Sequence, residues 1–439
     1  MSLVNIISAI GNNNSIYPLI VRDCGIEVPT KIAMTYNQNK EDKRIAWLGA
    51  RERFIDEYAV SAVWLFSIPL IDKLGKKLIS RYRKLNLNSD VNLKLITEEE
   101  KYNKNLKAGK KAESLVQGFE YNIKKFSDKP EAKEAIKDLL KVKNNKKLFE
   151  NLMNIKFISS IAIPIALIGF VIPKLVFAST AKKMKEYEKQ NPKTQSINPF
   201  TGVKDFDQFI RGKSKMTSFQ GALTSVLTNL TTVQKMAVTD GGYAAGRIIT
   251  ARKKNEAIDL GFKFTGMMFL NFIAPKWIEK AFNKITDVNL DPKMFVNPKF
   301  LAAVKNNRLE LPKSDSAKDL LEFIDNNPKA LFTNLAAKFD KVALLENGIR
   351  DPRAYVDTKE LAKFKGNIEK FAKQALDSGN IKAFTRKSLA LRSFTILANI
   401  GLSSFLLAYG LPKAQFIFRE WFTGSKLEPG LIDSNSDKK

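Results

Sequence analysis

Apolar residues are distributed along this chain in two ways. In residues 58–73, 157–174, 264–276 and 393–413 they run almost unbroken, and each run meets a proline and then a cation. Between these runs they recur every three or four positions among lysines, the pattern of amphipathic helices with one packed face. Leu115, Phe119, Ile123 and Phe126 form one such stripe. Leu331, Leu335, Phe339 and Val342 form another, and Leu361, Phe364, Ile368 and Phe371 a third. Asp128 and Asp357, each three residues before a glutamate, are placed as helix N-caps. Strand signals are confined to short runs such as residues 91–96. The expectation is an all-α, multi-helix, membrane-associated protein with two to four membrane-inserted helices, joined by basic amphipathic helical loops.

A helix needs about 20 mostly apolar residues to cross the hydrocarbon core. Residues 393–412 supply 20 without a charge, and residues 157–173 supply 17, with Lys156 and Lys174 placed to snorkel at the ends. These two are read as spans. Residues 58–71 and 264–275 supply 14 and 12, lengths typical of a buried or interfacial helix. Whether they cross is left open.

The prolines sharpen this reading. Proline has no N–H to bond the carbonyl four residues back, so Pro164 frees that of Ser160 and Pro275 that of Asn271. Lipid-embedded helices tolerate such a gap when a neighbouring polar group fills it. Ser160, Pro164, Pro173, Asn271, Pro275, Asn399 and Pro412 are therefore the candidate polar or kinked positions within the apolar segments. For Pro275 and Pro412 the alternative is that the proline simply ends its helix.

Five regions follow from these patterns. Residues 1–49 are an N-terminal segment, partly irregular. Residues 50–180 are a first half with apolar helices at 58–71 and 155–178, and 181–240 a linker with a Ser/Thr-rich, charge-free helix. Residues 241–420 are a second half with apolar helices at 264–278 and 393–412, and 421–439 a polar tail. Aligning Pro173 with Pro412 also matches Ile161 with Ile400, Leu167 with Leu406 and Lys174 with Lys413, a weak sign of duplication. Gly242 and Gly246 are read as a turn or a close-packed helix start.

Charge adds a partner. The net charge is +28, which favours anionic surfaces. It is uneven: residues 1–57 carry 7 cations and 7 anions, residues 72–156 carry 22 against 12, and residues 276–392 carry 23 against 15. Lys73, Lys76, Lys77, Arg81, Arg83 and Lys84 follow the first apolar run directly and are the candidate contacts to lipid headgroups. Four complete crossings place residues 174–263 opposite both other basic segments; the alternative is segments that dip in and return.

Composition also excludes chemistry. There is no histidine and one cysteine, Cys24, so His-based catalysis, His-ligated metal, thiolate clusters and intrachain disulfides are out. No phosphate-binding glycine loop or nucleophile elbow occurs. The expected function is therefore non-catalytic, without cofactor or metal: an integral protein of the bacterial cytoplasmic membrane, with no evident cleavable signal peptide. It would organise the membrane or bind a partner protein or second copy, its basic loops on anionic phospholipid. The alternatives are a multi-pass transporter or channel, and a soluble basic helical protein for assembly or nucleic acid. Nucleic acid is disfavoured because the Phe residues fall on apolar stripes, a placement for packing rather than base stacking.

Overall fold

Among the described residues, the apolar runs lie inside longer stretches of helix, because polar residues beside them also take helical backbone. The computed structural model describes residues 2–38, 43–109, 115–172, 230–249 and 254–424, with isolated positions at 40, 251 and between 175 and 186. In chain order, α1 (Leu3–Gly11), α2 (Tyr17–Arg22) and α3 (Val28–Gln38) precede the 38-residue α4 (Lys43–Ser80). Next come α5 (Lys94–Lys107), α6 (Phe119–Phe126), α7 (Lys133–Asn144) and α8 (Lys146–Ala166). They are followed by α9 (Thr232–Ile249), α10 (Lys254–Met268) and α11 (Ala274–Thr286). Then α12 (Pro298–Lys305), α13 (Ala317–Asn326), α14 (Leu331–Lys338) and α15 (Thr358–Asp377) lead to α16 (Ile381–Phe405) and α17 (Leu411–Thr423). Among the described residues there is no strand, only an isolated bridge between Leu344 and Arg350. Residues 94–96 open α5 instead and residues 91–93 are irregular, while residues 3–38 hold α1 to α3 with a non-helical stretch at 12–16.

Among the described residues, four stretches are long and apolar enough to cross a membrane: Glu57–Ser80, Lys146–Gly169, Lys254–Thr286 and Ile381–Thr423. The runs at 58–71 and 264–275 are thus parts of long helices. No more than 44% of the most apolar window of any of the four is buried. Their outer faces are bare hydrocarbon, with Leu78 71%, Ile155 61% and Phe394 65% exposed. Among the described residues, the protein does not wrap these helices in its own chain.

Proline shapes the long helices without ending them. Wide π-turns occupy Asp23–Glu27, Leu167–Val171, Phe269–Ile273 and Leu406–Gly410. In each case a proline stands two residues after the turn: Pro29, Pro173, Pro275 and Pro412. A π-turn carries its carbonyls one residue further along, away from the pyrrolidine ring that would clash in a regular helix. The helices therefore pass through Pro275 and Pro412 rather than stopping there. Pro173 lies outside the described residues. Pro69 and Pro164 are accommodated inside α4 and α8.

Side-chain contacts give the helix directions. Gly75 of α4 lies against Lys156 of α8, and the opposite ends meet where Ile55, Ala59 and Val63 pack on Ile168. The two helices are antiparallel. Likewise Asn399 of α16 bonds Pro275 of α11, while Arg419 of α17 reaches Asp259 of α10. The loop between α4 and α8 also bonds the loop between α11 and α16, which puts both at the same end of the bundle. There they merge. Asn122 Nδ2 donates to the Pro352 carbonyl at 2.9 Å, and the Gln117 side chain makes two bonds to the Val356 backbone. Two adjoining cores form, one around Phe126, Leu139 and Phe149 and one around Phe300, Phe332 and Ile368.

α9 sits within the bundle as a continuous helix. Gly242 is mid-helix rather than in a turn, and a Cβ there would come within 2.5 Å of the Ile165 side chain. The charge-free stretch at 216–234 lies mostly outside the described residues.

Candidate functional site

Three polar features stand out: the seam of the end domain, the helix breaks, and the basic collar where α4 leaves the bundle.

The seam is held by buried arginines. Arg350, 0% exposed, donates from Nε to Asp325 Oδ1 at 2.8 Å and from Nη2 to Oδ2 at 3.0 Å. Lys125, from the first loop, approaches the same carboxylate at 2.7 Å. The guanidinium also stacks 5.0 Å above the Phe126 ring. Burial pushes the Asp325 carboxyl up, but Arg350 and Lys125 outweigh it and hold it below the ordinary carboxylate value. Arg353 bridges the loops directly: Nη1 meets Asp138 Oδ2 at 2.9 Å, and Nη2 meets Asp351 at 2.9 Å. Burial alone would lower Arg353, yet these two carboxylates raise it. Nearby, burial and the charges of Glu98 and Asp357 push Tyr355 up to about 12. Such paired, hydrogen-bonded charges specify how the loops meet, and removing one partner strands the other.

At the helix breaks, backbone carbonyls accept from side chains of other helices. Arg22 Nη1 donates to the Asn271 carbonyl at 3.2 Å. That is the carbonyl four residues before Pro275, which in a regular α-helix would face the N–H that proline lacks. Tyr58 Oη donates to the Cys24 carbonyl at 3.0 Å, in the π-turn before Pro29. Asn399 Nδ2 ties α16 to the Pro275 carbonyl at 3.0 Å. Ser160 does something else: its hydroxyl bonds the Phe157 carbonyl at 2.7 Å. Asn271 and Asn399 are buried, and their side-chain oxygens have no hydrogen-bond partner among the described residues. A small cavity of about 10 Å³, room for one water, lies among Arg22, Asn271, Phe272 and Pro275. Further charges are buried in the bundle. Lys235 pairs with Asp72 across α9 and α4, and Arg419 with Asp259. Lys156, expected to snorkel, is instead tucked beside Gly75 and lies 4.0 Å from Asp72.

The collar residues Lys73, Lys76, Lys77, Arg81, Arg83 and Lys84 are all exposed. Lys76 also pairs with Asp90 at 2.7 Å. They sit where α4 passes from the apolar bundle to the end domain.

Of the sequence candidates, the structure joins Asn271, Pro275 and Asn399 in one buried neighbourhood and places Ser160 and Pro164 on α8, apart from them. Arg22, Tyr58, Lys125, Asp325, Arg350 and Arg353 were not among them. Pro275 flagged the need for a donor at Asn271, but nothing local named Arg22, 249 residues away. No family model, curated protein or solved structure matches this chain.

Proposed function

We propose that this chain is an integral membrane protein that organises a membrane face or binds a partner there, with no catalytic role. Its four apolar helices sit in the bilayer, and its end domain rests on an anionic leaflet. The observation that carries this reading is the joint domain. Loops from the two halves fold together and are pinned by Arg353 between Asp138 and Asp351 and by Lys125 on Asp325. Halves fastened in this way make a fixed platform at one end of the bundle, with the exposed cations at and just beyond the end of α4 at its edge, where each is worth about 1 kcal/mol beside an anionic surface.

Membrane integration is tested by fractionation. The chain should stay in the pellet through high salt and through alkaline carbonate. Release by salt alone would leave a surface-bound protein and end this account. The collar is tested by neutralising Lys76, Lys77, Arg81, Arg83 and Lys84 together. The stabilisation of the solubilised chain by anionic lipid should fall, while that by zwitterionic lipid stays unchanged; equal loss with both refutes headgroup contact.

A second reading, transport of a polar solute or ion, is favoured by the buried charges near the π-turns, since charge inside a membrane bundle often marks a pathway. Ion leakage through proteoliposomes that Arg22→Leu abolishes would favour it over the platform.

A further inference from the structure

We propose that the groove between α1 and the end domain is a binding site for a single anionic phospholipid. The groove has a volume of about 910 Å³. Ile10, Leu331 and Leu335 give it an apolar floor, and exposed Ile6 and Val296 extend that surface outward. Lys293, Lys299 and Lys338 stand around it with Asn5 and Asn334, and no carboxylate lines it. An apolar trough ringed by three cations matches one ligand chemistry: a hydrocarbon chain carrying a negatively charged head.

Its level along the bundle points to the same occupant. Ser8 Oγ donates to Asp291 Oδ2 at 2.8 Å, holding α1 against the domain. One turn further, a Cβ on Gly11 would lie 2.6 Å from Ile396, so α1 ends against the apolar part of α16. The pair Arg392–Glu279, at 2.8 Å, marks where that helix changes from charged to apolar. The groove therefore opens at the boundary between the bare hydrocarbon faces and the polar domain. A lipid seated there keeps its chains beside the bundle and brings its phosphate to the lysines. Tyr17, exposed on the groove's edge, suits an interfacial anchor. The proposal rests on the membrane reading above and adds a defined, saturable site to the diffuse contact of the collar.

Native mass spectrometry of the full chain in detergent, with equal phosphatidylglycerol and phosphatidylcholine added, tests it. One phosphatidylglycerol should be retained per chain, in preference to phosphatidylcholine. The Lys293→Gln, Lys299→Gln, Lys338→Gln variant should lose that retention by about tenfold or more. Ile6→Trp, which fills the groove without changing charge, should displace the lipid as well. Neutralising the α4 collar should leave this one lipid in place. Equal retention of both lipids overturns the assignment, and so does a groove variant that keeps its lipid. A co-purifying peptide, or a dimer that dissociates with Ile6→Trp, would replace lipid with a protein occupant. Carbonate extraction of the same preparations separates the failures. A chain that stays pelleted but holds no lipid sinks only the groove, whereas a chain that is released sinks the membrane reading too.

Discussion

Arg350 and Asp325 are the residues on which the end domain's unique geometry turns. Replacing Arg350 with Met leaves a buried carboxylate with Lys125 as its remaining cation, and should cost about 3–5 kcal/mol. Breaking the exposed pair Lys143–Glu120, 2.7 Å apart, with Lys143→Ala should cost no more than about 1 kcal/mol. Thermal unfolding of the solubilised chain compares the two; equal effects would deny the seam its role. The sign with pH is fixed by the same pair. Asp325 is held below its unfolded value of about 3.9, so its contribution is complete above that pH and disappears as pH falls through the folded value. Asp325→Asn should therefore flatten the acid limb of the stability profile, and an unchanged limb would contradict the assignment. Local signals at this scale were legible only where the partner is close in sequence. Asp357 caps α15 as expected, accepting from Lys359 and Glu360. Asp128 does not cap, because Pro130 takes the first helical position and makes Lys129 the cap.

The helices were legible because their apolar spacing is local, and their lengths were not, because charged flanks join them through tertiary contact. The π-turns illustrate the limit. Proline announces a break, but whether the helix stops or widens depends on a donor supplied from elsewhere, as Arg22 supplies Asn271. This coupling can be measured. Pro275→Ala restores an N–H for that carbonyl, so Arg22→Leu should be less damaging in that background. A double-mutant cycle on thermal stability should return a coupling of about 0.5–3 kcal/mol, and strict additivity would remove Arg22 from the role. Gly242 offers a second check on helix packing. Gly242→Val must displace Ile165, whereas a Cβ added at Gly246 would meet nothing within 4 Å. Gly242→Val should therefore be clearly more destabilising than Gly246→Val in thermal unfolding.

Across the whole molecule, three basic segments are evident in the sequence, and which of them share a face is set by tertiary contact. The answer lies in pairings such as Asn122 with Pro352, 230 residues apart, which no local pattern encodes. The groove was hidden for the same reason: α1 and the helices opposite it are distant in sequence, and neither carries a motif. What the chain does show locally is the contrast between bare apolar faces and a charged end, and that contrast is what the membrane account uses. Its geometry makes one decisive demand. In a Cys24→Ser background, single cysteines at Lys133 and Lys318 mark the two loops of the end domain, and one at Trp421 marks the far end of the bundle. Probed with an impermeant thiol reagent in sealed vesicles of known orientation, the first two should label from one side and the third from the other. Labelling of Lys133 and Lys318 from opposite sides, or of all three from the same side, would contradict the account.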